Sequence, residues 1–150
     1  MRIFILLTGL LLCVTQVNAQ TDPGTNRVKE AKIKFFNEKL NLSPDESKKF
    51  WPIYNDYQNR KNRLASERRT IMNYYLDNAN NMSASEVSKT LDRYIQIQKE
   101  ETDLLEQYNE KFKQVLADEK VLRIYIAEIQ FRNYLLKQLR TSQKNINIRK

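Results

Sequence analysis

Apolar side chains recur at intervals of three and four residues along most of the chain, which is the spacing of a single face of an α-helix. The pattern predicts an all-α fold of four helices. The first is expected over about 26–40, the second from Ser43 to about Asp77, and the third from Ser83 onward. The predicted apolar row of the second helix is Phe50, Tyr54, Tyr57, Leu64, Ile71 and Tyr75, and that of the third is Val87, Leu91, Tyr94, Leu105, Tyr108, Phe112 and Val115.

Two segments have the residue pattern that begins a helix. In Leu42-Ser43-Pro44-Asp45-Glu46, we expect the serine to cap the backbone amides, the proline to take the first helical position and the glutamate to complete a capping box. Met82-Ser83-Ala84-Ser85-Glu86 has the same arrangement of serine and glutamate. A third segment, Leu116-Ala117-Asp118-Glu119-Lys120, is weaker, because either Asp118 caps a new helix or one helix continues through it with a bend.

Trp51 and Pro52 form a predicted hinge in the second helix. Pro52 lies well past the first turn, where it has no amide hydrogen for the carbonyl four residues earlier and its ring displaces that carbonyl. We therefore expect a bend at this point. Trp51 is interpreted as a buried anchor that fixes the bend, and contact with a bound client is the alternative.

The connection between the second and third helices is short, which predicts that they pack as an antiparallel hairpin. The apolar row of the second helix is interrupted at Lys61 and Arg68. That of the third helix is interrupted at Gln98 and Glu101. With the turn centred near residue 80, we expect an ion pair between Lys61 and Glu101, direct or through water, unless both side chains extend into solvent.

The segment after Asp118 is the most apolar part of the chain outside its N-terminus. Its apolar residues cover more of the helix circumference than one packing face requires. Part of this surface therefore needs a cover, for which the first helix, a partner subunit and a bound polypeptide are the candidates. The residues predicted to contact a client or partner are Ile124, Tyr125, Phe131, Arg132 and Leu135.

The amino-acid composition argues against several classes of function. The chain of 150 residues has two glycines and three prolines, no histidine, and Cys13 as its only cysteine. It therefore lacks the usual proton shuttle at neutral pH, the common ligands of zinc and copper, and any disulfide framework. No glycine-rich phosphate loop is present. We expect a single non-enzymatic domain with no cofactor and no metal.

Residues 1–19 have the pattern of a cleavable export signal. A basic residue precedes an apolar run over 3–14, and Val17-Asn18-Ala19 offers small residues at the cleavage positions. The run is shorter than the roughly 20 residues that span a bilayer, and a retained anchor is the alternative. We expect cleavage after Ala19 and a periplasmic location. The rest of the chain divides into a flexible lead-in at 20–25, an all-helical domain at 26–140 and a basic polar tail at 141–150.

The formal net charge is +8, and most of the basic excess lies near the C-terminal end. No acidic residue follows Glu128, whereas six basic residues do. This segment is either a solvated tail or an electrostatic patch for an anionic membrane surface or an acidic partner. Nucleic acid is not expected as a partner, because an exported protein rarely meets it. The six basic residues are Arg132, Lys137, Arg140, Lys144, Arg149 and Lys150.

Two of the helix-start segments resemble the LTxxQ motifs of the Spy/CpxP family of periplasmic chaperones and envelope-stress regulators. These are Leu42-Ser43-Pro44-Asp45-Glu46 and Leu116-Ala117-Asp118-Glu119-Lys120. Phe50-Trp51-Pro52-Ile53-Tyr54 and the stretch over 120–125 resemble a Bacteroidetes branch, whose members are described as sensors of ECF-type sigma factors. The resemblance spans about 26–140.

Four motif positions differ from the family pattern. Ser43 and Ala117 stand where threonine is usual, and serine keeps the capping function whereas alanine cannot cap. Glu46 and Lys120 stand where glutamine is usual. Some members of the family are associated with metals, but metal sensing is not carried over to a chain without histidine whose only cysteine lies in the export signal.

The resemblance implies a thin, bent helical hairpin that pairs into a cradle-shaped homodimer and binds unfolded polypeptides without ATP. We therefore expect an envelope-stress chaperone whose partners are unfolded or membrane-associated envelope proteins. The main alternative is a regulator that binds a membrane signalling protein and controls an ECF-type sigma factor. A peripheral membrane or envelope-structural protein acting through the basic C-terminal helix is a third hypothesis, and an enzyme is a distant fourth.

We predict that the exported protein begins at Gln20. Signal peptidase cleaves after small residues that follow an apolar run, and Ala19 fits this pattern. Intact-mass measurement of the protein recovered from the envelope is expected to give a chain that lacks residues 1–19. A recovered chain that still carries residues 3–14 would contradict the cleavage and favour a retained anchor.

Overall fold

The computed structural model describes residues 23–148, and their side chains over 26–141. Within this range the chain is all-helical, with four helices and no strands, as the sequence pattern predicts. The predicted export signal at 1–19 lies outside the described residues. The helices are α1 (Pro23–Leu40), α2 (Pro44–Asn78), α3 (Ala84–Lys113) and α4 (Asp118–Ile148).

Both predicted capping boxes are present. The Ser43 side chain accepts a hydrogen bond from the Glu46 amide at 3.2 Å, and the Glu46 carboxylate accepts one from the Ser43 amide at 2.8 Å. Ser83 and Glu86 make the same reciprocal pair, at 3.3 and 2.8 Å. Each box satisfies two backbone donors, one of them an amide that the N-terminus of the helix leaves without a partner. These side chains explain why α2 and α3 begin where the sequence predicts.

The third junction is a break between two helices. α3 ends at Lys113, and α4 begins at Asp118 with Ala117 immediately before it. The Ala117 carbonyl accepts from the amides of Lys120 and Val121 at 2.9 and 3.1 Å, but the alanine side chain has no oxygen with which to cap. Asp118 is the first helical residue rather than the cap, and its charge suits the positive end of the helix dipole. Neither sequence alternative holds in full, because α4 is a separate helix that Asp118 does not cap.

Two helix boundaries differ from the sequence prediction. α1 begins at Pro23, before the expected start near residue 26, and α4 continues to Ile148, past the expected boundary at 140. Proline is favoured at the first helical position because its fixed φ suits the helix and its missing amide hydrogen is not needed there. At the other end, residues 141–148 contain neither glycine nor proline, so the sequence has no signal that stops the helix.

A tight turn at Asn41 joins α1 to α2. Asn41 has a φ of 50°, a left-handed conformation that asparagine tolerates better than most residues. Its amide donates to the Glu38 carbonyl at 3.3 Å, and the Leu42 amide donates to the Asn37 carbonyl at 3.2 Å. These two bonds close the C-terminus of α1 as a Schellman motif. The chain therefore leaves α1 and enters the capping box of α2 almost at once.

The core lies where all four helices meet. Its largest fully buried side chains are aromatic and include Phe36, Phe50, Tyr54 and Phe112. The Phe36 ring centre lies 5.1 Å from that of Tyr54, and the Phe50 ring centre lies 5.7 Å from that of Phe112. Each such pair adds about 0.5–1.5 kcal/mol to the stabilisation from burial. The buried cluster is completed by Leu40, Tyr57, Tyr108, Leu116, Val121, Ile124, Ala127 and Phe131.

α2 and α3 make more extensive contact than any other pair of helices in the described chain. Hydrogen-bonded pairs join Asp56 to Tyr108 and Glu67 to Arg93, so residue numbers rise along α2 as they fall along α3. The two helices are therefore antiparallel. They have 35 and 30 residues and extend for roughly 50 and 45 Å at 1.5 Å per residue. Their far ends lie well beyond the core.

The apolar row predicted for α3 is buried at only one end. Tyr108 and Phe112 belong to the core, whereas Val87 and Leu91 are 37% and 58% exposed. Ile97, which the predicted row omits, is fully buried. At their far ends α2 and α3 have only each other as cover, and one helix neighbour cannot bury a whole apolar row.

Glu101 pairs with Arg68 rather than with Lys61. The Arg68–Glu101 distance is 3.3 Å, and the Lys61 ammonium lies 5.5 Å from the centre of the Tyr57 ring. Arg68 lies two helical turns beyond Lys61 on the same face of α2, and its forked guanidinium suits a carboxylate. The direct Lys61–Glu101 ion pair is therefore wrong, and the water-bridged form stays a prediction. The partner of Glu101 is the other cation that interrupts the same row.

Trp51 attaches α2 to α1. Its indole N–H donates to the Asn37 side chain at 3.1 Å, and its ring centre lies 6.1 Å from that of Phe36. These contacts favour the interpretation of Trp51 as an anchor, although the side chain is half-buried rather than buried. α2 continues through Pro52 without a break in helical structure, and the bend there stays a prediction.

Two isoleucines on α4 provide a test of the packing. Ile124 is fully buried, and Ile126 is 45% exposed. We predict that Ile124→Ala lowers the free energy of unfolding by about 2–5 kcal/mol, because it removes buried methyl groups and leaves a cavity. The matched control, Ile126→Ala, is expected to lower it by less than about 1 kcal/mol at a protein concentration low enough for the chain to be monomeric. Urea denaturation followed by circular dichroism measures both, and equal losses would contradict this packing of α4.

Candidate binding groove

The two motif segments, 42–46 and 116–120, meet at their last residues. The Lys120 ammonium lies 2.9 and 2.7 Å from the carboxylate oxygens of Glu46, and it donates to the Asn41 carbonyl at 2.7 Å. Glu46 and Lys120, the last residues of the two segments, are thus partners of opposite charge. The contact ties the beginnings of α2 and α4 to the end of α1.

Hydrogen bonds hold the pKa of the Glu46 carboxyl below its usual value. The Lys120 ammonium is the largest cause, and the Ser43 amide of the capping box adds to it. The leucines that open the two segments face inward, since Leu116 is buried and Leu42 is half-buried against the core. The motif residues therefore position helix ends.

A polar cluster joins α1, α2 and α4 beside the core. Glu128 accepts hydrogen bonds from the Tyr54 hydroxyl and from the Gln58 amide, the latter at 2.9 Å, and it pairs with Lys32 at 3.3 Å. The Lys32 ammonium also lies 5.0 Å from the centre of the Tyr54 ring. Burial lowers the pKa of Lys32, and the charge of Glu128 opposes this shift. The Glu128 carboxylate is thus occupied by internal partners.

The five residues that the sequence predicts as client contacts lie in different environments. Ile124 and Phe131 are 0% and 4% exposed and belong to the core, and Ile124 borders the groove described below without exposing surface to it. Leu135 is half-buried against the same core, while Tyr125 and Arg132 line a groove. Ile124 and Phe131 share the face of α4 that packs on α1 and α2. Because apolar residues surround most of α4, the sequence does not indicate which face packs.

An open groove of about 530 Å³ lies between α2, α3 and α4, and we call it the central groove. α4 runs beside the first part of α2 in the same direction, from the Lys120–Glu46 contact to the Glu128–Tyr54 contact. The groove extends from Glu128 toward Arg132. It is lined by Tyr57, Lys61, Ala65, Arg68, Glu101, Thr102, Leu105, Ile124, Tyr125, Glu128, Ile129 and Arg132.

The central groove combines an apolar lining with a positive charge. Lys61, Arg68 and Arg132 line it together with Glu101 and Glu128. Both carboxylates are engaged, because Glu101 pairs with Arg68 and Glu128 belongs to the polar cluster. Within the described part of the chain, neither Lys61 nor Arg132 forms an ion pair. These two cations are therefore available to an acidic ligand.

Tyr125 is fixed in the wall of the groove. Its hydroxyl donates to the Asn109 side chain on α3 at 2.9 Å. Burial raises the pKa of Tyr125, and the nearby Lys113 opposes the shift. Burial likewise raises the pKa of Tyr57. Both phenols are therefore neutral at physiological pH and add hydrogen-bonding groups to an apolar wall.

Two further apolar surfaces are exposed. The distal patch lies at the far ends of α2 and α3 and forms a hollow of about 330 Å³, and the outer stripe runs along α4. Exposed apolar side chains gathered on one surface are a common feature of sites that bind other molecules. The distal patch consists of Met72, Tyr75, Val87, Thr90, Leu91 and Tyr94, and the outer stripe consists of Leu122, Ile126 and Leu136, with Leu139 exposed on a neighbouring face of α4.

Sequence reasoning missed Lys32 and Gln58. Both occupy positions that the apolar pattern treats as solvent-facing, and their spacing carries no signal that a carboxylate from α4 reaches them. Five groove residues did carry a signal from the predicted apolar rows. Tyr57 and Leu105 belong to these rows, and Lys61, Arg68 and Glu101 interrupt them.

Comparison with protein-family models, with curated proteins and with solved structures finds no match for this chain. Among residues 23–148, no cluster of three or more His, Cys, Asp or Glu is placed to hold a metal ion. In the same range, no helix is long and apolar enough to cross a membrane. The groove and its charges are therefore the features that support a function.

The lowered pKa of Glu46 predicts a loss of stability in acid. Below its usual value of 4.5 the unfolded chain binds a proton that the folded state does not, so stability falls as the pH drops toward the folded pKa. We predict that Glu46→Gln removes part of the acid dependence of the urea midpoint. The exposed Glu106 gives a control, and Glu106→Gln is expected to keep that dependence. If the Glu46→Gln and unaltered proteins had identical acid profiles, the contribution of the Lys120 contact would be refuted.

Proposed function

We propose that this protein is an exported, non-enzymatic chaperone of the cell envelope that binds unfolded polypeptides without ATP. The observation that carries the proposal is the central groove, an open surface with an apolar lining and cations at its edge. Unfolded chains differ in sequence but share exposed apolar side chains. An open surface of mixed character suits such varied ligands better than an enclosed pocket of fixed shape.

Each part of the groove has a role in this proposal. Leu105 and Ile129, which are 40% and 53% exposed, contact apolar client side chains, and the half-buried Tyr125 adds aromatic surface. Lys61 and Arg132 attract acidic segments of the client over several ångströms and favour encounter. Because every contact is weak and the groove stays open to water, a bound client segment can dissociate without an input of energy.

We further propose that α2 and α3 form a bent hairpin of the Spy/CpxP type, with Trp51 and Pro52 at the bend. In this proposal two chains pair as a cradle-shaped homodimer. The first half of the outer stripe supports the pairing, because Leu122 and Ile126 are 60% and 45% exposed on a helix whose opposite face is already packed. A second copy is the cover that we assign to these two residues.

A regulatory role is the second candidate. The groove cations Lys61 and Arg132 favour it, because two neighbouring cations without an ion-pair partner in the described residues also suit one acidic partner segment. The groove then binds the exported domain of a membrane signalling protein that controls an ECF-type sigma factor. Crosslinking from Tyr125 in the intact envelope separates the roles, since a regulator gives one membrane partner and a chaperone gives many.

We predict that the protein suppresses aggregation of a chemically denatured model client at near-stoichiometric amounts and without ATP. Ile129→Asp is expected to raise the amount needed roughly fivefold, because losing an apolar contact of about 1 kcal/mol weakens binding by that factor. Ile95→Asp is the matched control, since Ile95 lies outside the groove and is 51% exposed, against 53% for Ile129. Light scattering during dilution of the client from denaturant measures the effect.

Two outcomes would count against the proposal. If the unaltered protein does not suppress aggregation, the proposed chaperone role is contradicted. If Ile129→Asp and Ile95→Asp weaken suppression equally, the client does not bind in the central groove.

A further inference from the structure

The second half of α4 carries charge of only one sign. After Glu128 the sequence contains six Lys or Arg residues and no Asp or Glu. Arg132, Lys137 and Arg140 have exposed side chains on a helix that continues to Ile148. Within the described range none of these three side chains forms an ion pair. The charge is therefore presented by a helix and is not neutralised by the protein itself.

Exposed leucines lie beside these cations. Leu136 and Leu139 are 47% and 61% exposed, and their spacing of three residues places them on one face of α4. Lys137 and Arg140 each follow one of the leucines directly. A helix that combines exposed leucines with adjacent cations is suited to lie in the boundary between lipid headgroups and acyl chains.

We propose that residues 132–141 of α4 form a binding surface for an anionic lipid bilayer. Lys137 and Arg140 contact lipid phosphates, and Leu136 and Leu139 enter the edge of the acyl region while the helix axis lies along the membrane surface. Each Lys or Arg held near an anionic surface strengthens the attachment about fivefold. This surface would place the protein at the membrane, and the proposal does not depend on the chaperone role.

The leucines favour lipid over an acidic protein as the partner. An acidic protein surface would satisfy the cations alone and would leave Leu136 and Leu139 in contact with water. A bilayer satisfies both, because phosphate and acyl chain lie within one side-chain length of each other. The adjacency of cations and leucines on the surface of α4 thus complements the adjacency of phosphates and acyl chains at a membrane boundary.

Vesicle flotation tests the proposal with the protein that begins at Gln20, since residues 1–19 would themselves bind lipid. We expect the protein to float with vesicles of equal parts phosphatidylglycerol and phosphatidylcholine, and not with phosphatidylcholine alone. Raising the salt concentration is expected to release it. Lys137→Gln combined with Arg140→Gln is expected to weaken binding at least about tenfold. The matched control, Lys48→Gln with Lys49→Gln, removes two exposed cations from α2 and is expected to change binding less than about twofold.

Leu136→Ser combined with Leu139→Ser tests the apolar part at unchanged charge, and we expect it also to weaken vesicle binding severalfold. Unaltered binding by this variant would overturn the proposal, as would equal flotation with phosphatidylcholine alone. Binding to polyglutamate without binding to anionic vesicles would overturn it in favour of an acidic protein partner. Circular dichroism checks that each variant is folded, and retained suppression of client aggregation shows that the central groove is intact.

Discussion

Aromatic packing at the junction of the four helices is the interaction on which the rest of the structure depends. Phe36, Tyr54 and Phe112 come from three different helices, and each is at most 1% exposed. Phe131 brings α4 into the same cluster. Because these side chains gather near one end of α2 and α3, the far ends of those helices have a single helix neighbour. The apolar residues there stay partly in water for that geometric reason.

Polar contacts join α4 to α2 in addition to the packing of the core. The Glu46–Lys120 contact joins the beginnings of α2 and α4, and the polar cluster around Glu128 joins the same helices farther along. Between them, these contacts align α4 with the first part of α2. Past Glu128 no ion pair joins α4 to α2 within the described residues, and the central groove opens there. The helix surface that is not used for packing then provides the two proposed binding surfaces, the groove and the basic half of α4.

Much of the fold could be predicted from local sequence signals. The serine and glutamate pairs at Ser43 and Ser83 satisfy helix N-termini from within a few residues, so their effect needs no distant partner. The candidate site could be predicted only in part. Tyr125 and Arg132 line the groove as surface residues, but Ile124 and Phe131 are buried. An apolar side chain has the same sequence signal whether a helix of the same chain or another molecule covers it.

The sequence by itself determined that the chain is helical, where α2 and α3 begin, and that positive charge gathers after Glu128, because these properties depend on residues near one another in the chain. Only the tertiary structure decided that Lys120 joins Glu46, that Arg68 rather than Lys61 reaches Glu101, and that Lys32 and Gln58 engage Glu128. Such contacts depend on the rotation of each helix about its own axis and on the reach of individual side chains. Both are set when the helices pack together, and the spacing of residues along the chain does not encode them.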